Sequence, residues 1–477
     1  MITSPENNIL FGTDGWRGLL ERELNDRNVA RVAQAFADYI IQLNKPRPIV
    51  AVGFDGRRRS DAFALLFARV LSANHITVHL SGHVVPTPVL SFYTAYHDCV
   101  AGVMVTASHN PPEYNGIKFK SAQGAPLITS ETRKIEKLIG SGDPSRDDAF
   151  IVGADFMKDY KKHMNRLIDF DAIARRGLKP AIDSMAGAGT SILKDLLADH
   201  HIESQGIDQQ ALPDFNGRIA EPIEKNLRPL AEFLQKGDFS FGLATDGDAD
   251  RLGVMDEKGT WMNIQETILY LAEYVKRQRK TKGGLVKTLS VTDKMLRLAR
   301  DTNCDLQDVQ VGFKYVAEAM MDTQAAFGAE ESGGFGFGDH IPERDGIYSA
   351  LLFCEMIAKS GCSALSPFIR NKRSLWGNFY YDRIDREYMG ADRIDFLEQL
   401  YSNPPEKIAS FPVTERLQHY TSRGVINSLK FRLHGDPRWL LIRTSETEPV
   451  VRIYAEGESA QQVKDLLEAG QKMLNIK

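Results

Sequence analysis

Three aspartates on alternate positions, Asp246, Asp248 and Asp250 in TDGDADR, carry the most suggestive chemistry of this 477-residue chain. They follow SFGLAT (240–245), which reads as a buried strand. Carboxylates this close repel one another unless a cation joins them. In a looped backbone they can converge on one hard cation, and oxygen donors suit Mg²⁺ or Ca²⁺. An EF-hand loop is the obvious rival, since Glu257 falls at its twelfth position. Arg251, however, stands at the sixth position, where that loop needs glycine, and the preceding segment is a strand instead of a helix.

A second segment, VTASHNPPEYNGIKF (105–119), leaves another apolar run, VAGVMV (100–105). Small and polar residues, two prolines and Asn115-Gly116 predict a rigid loop at a strand's C-terminal end, where open α/β sheets bind ligands. Ser108 is expected at its exposed apex with His109 beside it, and Lys118 is expected to begin the return strand. A hydroxyl nucleophile needs a nearby base, although most serines in such loops only cap turns.

Two further loops offer recognition chemistry. AEESGGFGFGDHIPERD (329–345) places Glu330 and Ser332 before glycines that let the backbone approach a ligand, so they could bond sugar hydroxyls. LIRTSETEPVVR (441–452) presents Arg443, Ser445 and Thr447 after a strand, a guanidinium and two hydroxyls suited to a phosphate monoester. No GxxxxGK[ST], GxSxG or HExxH occurs, and AGAGTSI (186–192) lacks the third glycine of a dinucleotide fingerprint.

The elements that must carry these loops alternate. IVAVGF (49–54), KPAID (179–183), LVKTL (285–289) and 325–329 read as strands, and SDAFALLFARVLS (60–72) as a helix capped by Ser60 or Asp61. The pattern predicts an α/β protein of tandem units with mainly parallel sheets. The last stretch, from about Trp376, has the order of a smaller α+β domain and closes on the amphipathic helix SAQQVKDLLEAGQKMLN. Polar and glycine-rich breaks set expected domains at 1–150 (Ser108 loop), 151–257 (aspartate loop), 258–370 (Glu330 loop) and 371–477 (Arg443 loop). A net charge of -4 lacks the basic stripe that nucleic-acid binding needs. Four cysteines, none in a CxxC pair, suit a reducing compartment with no disulfide framework. No signal peptide or membrane span is read, so the expected location is the cytoplasm.

Taken together and in order, FGTDGWRG, TASHNPPEYNGIKF, DGDADR, EESGG and RTSETEP resemble the α-D-phosphohexomutase superfamily of phosphoglucomutases, phosphomannomutases and phosphoglucosamine mutases. The resemblance runs from Phe11 to Glu456. It implies four domains around a central cleft, three similar α/β domains and a smaller C-terminal α+β domain, each giving one loop. It further implies that Ser108 carries a phosphoryl group and that Asp246, Asp248 and Asp250 hold Mg²⁺ together with a phosphoserine oxygen. Glu330 and Ser332 would bind sugar hydroxyls, and Arg443, Ser445 and Thr447 the non-reacting phosphate. Arg17 and Lys118 would line the reacting centre, with His109 and Lys118 the candidates for general acid or base. Arg251 and Lys314 match positions facing the cleft. Two departures stand out: Glu446 replaces the glycine of the phosphate loop, and Ala329 a glycine before Glu330.

The implied reaction interconverts hexose 1-phosphate and hexose 6-phosphate through a hexose 1,6-bisphosphate. The loop EESGGFGFGDHIPERDG looks more like glucose or mannose enzymes than amino-sugar ones, so glucose is the expected sugar, then mannose. The alternatives are a phosphoglucosamine mutase and, with a broken site, a non-catalytic sugar-phosphate binder. Expected partners are small hexose phosphates, with no nucleic acid and no membrane, and the chain is expected as a monomer or homodimer.

Overall fold

The computed structural model describes residues 9–12, 14–388, 393–420, 424–444 and 450–474. The chain forms two compact units, Met1–Met262 with Ser332–Ile369, and Asn263–Glu331 with Arg370–Lys477.

The first unit begins with a sheet of β1 (Trp16–Leu19), β2 (Ile49–Phe54), β3 (Thr77–Ser81), β4 (Ala101–Val105), β5 (Tyr114–Ser121) and β6 (Ile151–Ala154), in the order β1-β5-β4-β2-β3-β6. β4, β2, β3 and β6 run parallel, whereas β5 pairs antiparallel with both β4 and β1. β4 (AGVMV) is buried throughout, as a central strand covered on both faces should be. Helix Asp26–Gln42 starts where the Asn25 side chain accepts from the Asn28 amide at 3.0 Å. It buries Val29, Val32, Ala33, Phe36 and Ile40, the spacing of one helical face. Phe36 stacks on Phe119 with centroids 4.4 Å apart, tying the helix to β5. Helix Ser60–Ala73 forms as expected, but neither Ser60 nor Asp61 caps it. Arg59 holds that position at φ 68°, and the Ser60 hydroxyl donates instead to Asp55 at 2.7 Å.

A second sheet holds β7 (Pro180–Asp183), β8 (Gln205–Ile207), β9 (Phe241–Thr245) and β10 (Leu252–Asp256), in the order β10-β9-β7-β8. β8, β7 and β9 are parallel, and β10 turns back antiparallel on β9. In the second unit, β11 (Leu285–Thr288) lies between β12 (Leu306–Val309) and β13 (Phe327–Glu330), all parallel. β14 (Gly334–Phe337) belongs to the segment that returns to the first unit, and helix Gly346–Lys359 of that segment packs on β9, β10 and helix Phe170–Arg176. The expected mainly parallel α/β sheets are therefore present, with antiparallel strands added at the ends.

The C-terminal sheet contains β15 (Tyr380–Glu387), β16 (Lys407–Ile408), β17 (Phe411–Tyr420), β18 (Ile426–Leu433), β19 (Trp439–Thr444) and β20 (Val450–Gly457), in the order β15-β20-β19-β18-β17-β16. All its pairs are antiparallel, and helix Ala460–Met473 covers β15, β19 and β20, giving the expected α+β arrangement. Buried charge joins this sheet to the β11 end of the same unit. The Asp293 carboxylate accepts from Lys287 (3.0 Å), Lys430 (2.8 Å) and Arg432 (2.7 Å), and Asp308 pairs with Lys287 (2.7 Å) and Arg432 (2.6 Å). Burial works against the Asp293 charge, but Lys287 and Lys430 hold its carboxyl well below the usual range. Glu456 accepts from the Asp293 amide (3.0 Å) and the Trp439 indole (2.6 Å).

All four cysteines are free thiols. Among the described residues no helix is long and apolar enough to cross a membrane. Removing one partner from a buried charge network strands the others. Asp293→Asn is therefore expected to cost roughly 3 kcal/mol or more, read by chemical denaturation; a loss below about 1 kcal/mol would show that the network does not hold the unit together.

Candidate active site

Two of the predicted loops meet inside the first unit, and both are hairpin tips. Residues 106–113 join β4 to its antiparallel neighbour β5, and residues 246–251 join β9 to β10, Thr245 pairing with Leu252. Each tip thus sits at the C-terminal end of a buried parallel strand and is fixed by the strand that returns. β5 starts at Tyr114, four residues before Lys118. Lys118 instead lies within the strand, opposite Met104, and is almost fully buried.

Ser108 differs from its expected exposed apex: it is fully buried, at φ 54°. The aspartate loop closes against it. A Cβ on Gly247 would lie 2.3 Å from the Ser108 carbonyl oxygen, so only glycine permits the approach. The Ser108 hydroxyl donates to Asp246 Oδ2 at 3.2 Å and lies 3.3 Å from His109 Nδ1. On the far side, a Cβ on Gly187 would meet the Gly247 carbonyl oxygen at 2.8 Å. The glycines of AGAGTSI therefore make room for the aspartate loop instead of binding a nucleotide.

Asp246, Asp248 and Asp250 are fully buried, and each offers an oxygen within 4.8 Å of the others. Asp246 Oδ1 accepts the Asp250 and Arg251 amides, at 2.9 and 3.1 Å, which curls the loop. Asp248 Oδ2 accepts from Thr87 Oγ1 (2.6 Å) and Lys118 Nζ (2.8 Å). Asp248 Oδ1 and Asp250 Oδ1 are buried with no hydrogen-bond donor. Burial and its two carboxylate neighbours push Asp246 well above the usual carboxylate range. All-oxygen donors, orphaned lone pairs and crowded negative charge fit a hard divalent cation. Glu257 is no part of this set; it accepts the Ser366 amide at 3.0 Å.

Cations surround the triad. Lys118 Nζ lies 2.8, 3.3 and 2.9 Å from Asp248, Asp250 and Asp14. Burial opposes its charge, yet these carboxylates raise its pKa, so it stays protonated. Arg344 bridges Asp14 and Asp250, both at 2.7 Å. Arg17 donates to Asn110 Oδ1 at 2.5 Å, and Arg251 lies 3.3 Å from Glu221. Burial, with Arg251 and Arg17 nearby, holds the His109 imidazole well below its ordinary pKa and so neutral.

Ser108, His109, Lys118, Arg17, Arg251 and the three aspartates are thus brought together. Ser332 lies in the same unit; Glu330, Lys314 and Arg443 lie in the other. Arg443 stands on β19 opposite Arg452, while Ser445, Glu446 and Thr447 lie outside the described residues. His340 and Asp345, from the glycine-rich loop, bond one another at 2.9 Å, and Asp345 also accepts from Tyr160 at 2.7 Å and caps helix Gly346–Lys359. Reading the sequence missed Asp14, Thr87, Glu221 and Arg344. Asp14 and Arg344 lay inside quoted motifs, FGTDGWRG and ERDG, whereas Thr87 and Glu221 had no local signal.

Family profiles match the chain in order: phosphoglucomutase/phosphomannomutase alpha/beta/alpha domain I over residues 8–146, domain II over 158–259, domain III over 264–372 and the C-terminal domain over 405–470. The chain belongs to the phosphoglucomutase/phosphomannomutase family. This makes it a phosphohexomutase of the α-D-phosphohexomutase superfamily, an isomerase acting as an intramolecular phosphotransferase. A phosphoglucomutase/phosphomannomutase of Thermococcus kodakarensis is 30% identical over 98% of both chains. A phosphoglucosamine mutase of Caldicellulosiruptor saccharolyticus is also 30% identical, over 95% of this chain and 96% of its own. A solved structure from Thermus thermophilus, to which phosphomannomutase activity is ascribed, is 32% identical with a TM-score of 0.83, covering 99% of this chain and 100% of its own. The superfamily is metal-dependent, in keeping with the aspartate triad.

Forcing the two loops apart should therefore damage this phosphohexomutase. Gly247→Ala is expected to lower kcat about 100-fold, the scale of a 1 Å misplacement, with the fold retained by circular dichroism. Wild-type kcat in the variant would show that the loops need not touch.

Proposed function

We propose that the enzyme interconverts hexose 1-phosphate and hexose 6-phosphate, glucose preferred over mannose, through phosphorylated Ser108 and a hexose 1,6-bisphosphate. The observation that carries this reading is the placement of the Ser108 hydroxyl 3.2 Å from Asp246, at the edge of a buried carboxylate triad. Asp246, Asp248 and Asp250 would hold Mg²⁺. When bound, that ion would neutralise charge on the phosphoserine and favour loss of its phosphoryl group.

Phosphoryl transfer depends on positioning and charge stabilisation. Arg17, Arg251 and Lys118 would stabilise the equatorial oxygens of the group in flight. The free sugar hydroxyl attacks phosphorus and gives up its proton, the phosphorus–Ser108 Oγ bond breaks with that oxygen taking up a proton, and the bisphosphate forms. After the sugar turns round, Ser108 Oγ attacks the other phosphate, whose bond to the sugar breaks. Neutral His109, 3.3 Å from Ser108 Oγ, is placed to accept the serine proton in that step, while Lys118 remains a charged clamp. Glu330 and Ser332 would hold sugar hydroxyls, Lys314 would face the substrate, and Arg443, Ser445 and Thr447 would hold the phosphate that does not react.

A phosphoglucosamine mutase is the second reading. It is favoured by the equal 30% identity to a relative of that name. Glucose 1-phosphate, mannose 1-phosphate and glucosamine 1-phosphate should be assayed in parallel with Mg²⁺ and traces of the matching bisphosphates. Turnover of glucose 1-phosphate that disappears in Ser108→Ala is the expected result. Activity confined to glucosamine 1-phosphate would select the second reading, and an active Ser108→Ala would remove the phosphoserine. Arg443→Ala is expected to raise KM about tenfold or more, the value of a charge-assisted hydrogen bond, with a smaller change in kcat; an unchanged KM would take Arg443 out of the phosphate site.

A further inference from the structure

One buried guanidinium beneath the Ser108 loop hydrogen-bonds to backbone there and to no side chain placed at the reacting centre. Arg57 follows β2 in the segment Asp55-Gly56-Arg57, at a strand's C-terminal end, and is 3% exposed. It donates to the carbonyl oxygens of Ser108 and Asn110, both at 2.6 Å, and to those of Pro111 and Tyr114, both at 2.9 Å. The loop therefore wraps its carbonyls around a single cation. An ammonium could not replace it, because it has three donors at one point instead of a planar fork.

Arg57 is itself fixed on every side. Asp55 Oδ2 lies 3.2 Å from its Nε, and Asp55 Oδ1 accepts its amide at 3.0 Å and the Ser60 hydroxyl at 2.7 Å. Its guanidinium lies 4.7 Å from the centre of the Phe215 ring, which belongs to the core beneath the aspartate-loop sheet. Gly56 closes on the same side, where an added Cβ would be 2.7 Å from Ala211. Arg57 thus refers the serine loop to the body that carries the aspartate loop.

Ser108 needs such a reference. Its backbone sits in the left-handed region, which is unfavourable for a residue with a Cβ, and its carbonyl is the atom against which Gly247 closes. The carbonyl that receives the Arg57 hydrogen bond is that same one.

We propose that Arg57 is a positioning residue for phosphoryl transfer. By gathering the carbonyls of residues 108, 110, 111 and 114, it sets the angle at which Ser108 Oγ faces the carboxylate triad. This rests on Ser108 being the phosphorylated serine, so the test measures that step directly. Wild type, Arg57→Lys and Arg57→Ala are dephosphorylated and mixed with hexose 1,6-bisphosphate, and the phosphoryl group gained is followed by intact mass and by peptide mapping to Ser108.

In Arg57→Lys, transfer to Ser108 and kcat should fall about 100-fold, the cost of misplacing a reacting atom by about 1 Å, with KM for hexose phosphate within about twofold of wild type. In Arg57→Ala, guanidinium at about 20 mM should recover at least fivefold of the lost rate, and sodium chloride at the same ionic strength should not, since only a planar cation refits the carbonyl cradle. Transfer in Arg57→Lys within threefold of wild type would overturn the proposal. So would a loss that tracks KM alone. Should Arg57→Ala fail to fold, Arg57→Lys decides by the same limits. A wild-type chain that takes no phosphoryl group at Ser108 overturns the phosphoserine reading and this one with it; normal wild-type phosphorylation with an unaffected Lys variant overturns this one alone.

Discussion

Three carboxylates confined within 4.8 Å, all without access to water, are the constraint around which the first unit is arranged. Uncompensated, such a cluster would drive its own members to take up protons, as the upward displacement of Asp246 reflects. Lys118 from the first sheet and Arg344 from the returning segment supply opposing charge, and both also grip Asp14. The hydroxyl of Thr87 at a helix start donates to Asp248 Oδ2, the oxygen that Lys118 also holds. Segments distant in sequence are therefore held in mutual register by electrostatics that none could satisfy alone, and Ser108 is set at the edge of that arrangement.

The device repeats. In both sheets of the first unit, a buried parallel strand runs out into a chemically loaded tip and returns antiparallel, β4 to β5 and β9 to β10. An ordinary strand-to-helix loop would leave one end of the tip free to shift. A hairpin clamps both ends by ladder hydrogen bonds, and the glycine at 247 lets the two tips close to backbone contact. Rigidity of this kind suits a reaction in which charge and distance supply most of the rate.

Much of this was legible in the residues. Apolar runs marked β2, β4, β9 and β11, and the alternation of aspartates marked the carboxylate triad. Ser108 stood out because its loop left a strand end. What the chain could not reveal locally was which residues answer the triad. Thr87 and Glu221 sit in ordinary segments, and their roles exist only because folding brings them to Asp248 and Arg251. The burial of Ser108 was also invisible, since it depends on a glycine more than a hundred residues away. His340 and Asp345 stand in the same glycine-rich loop as Ser332, but a tyrosine from helix Met157–Leu167 claims the aspartate. The cap at Ser60 failed for a similar reason, because Asp55 competes for its hydroxyl.

The first unit is discontinuous: residues 332–369 rejoin it after the chain has built part of the second. That order matters during synthesis. Arg344, the charge that answers Asp14 and Asp250, is translated almost a hundred residues after the aspartate loop. Until it leaves the ribosome, the carboxylate cluster waits with only part of its counter-charge, and helix Gly346–Lys359 is missing from the face of β9 and β10. The second unit, in turn, cannot complete its Asp293 network until Lys430 and Arg432 appear. The first unit therefore cannot mature before residue 369 has emerged, nor the second before the C-terminal sheet is made, and a nascent chain halted near residue 331 would carry Ser108 and all three aspartates without the arginine that balances them.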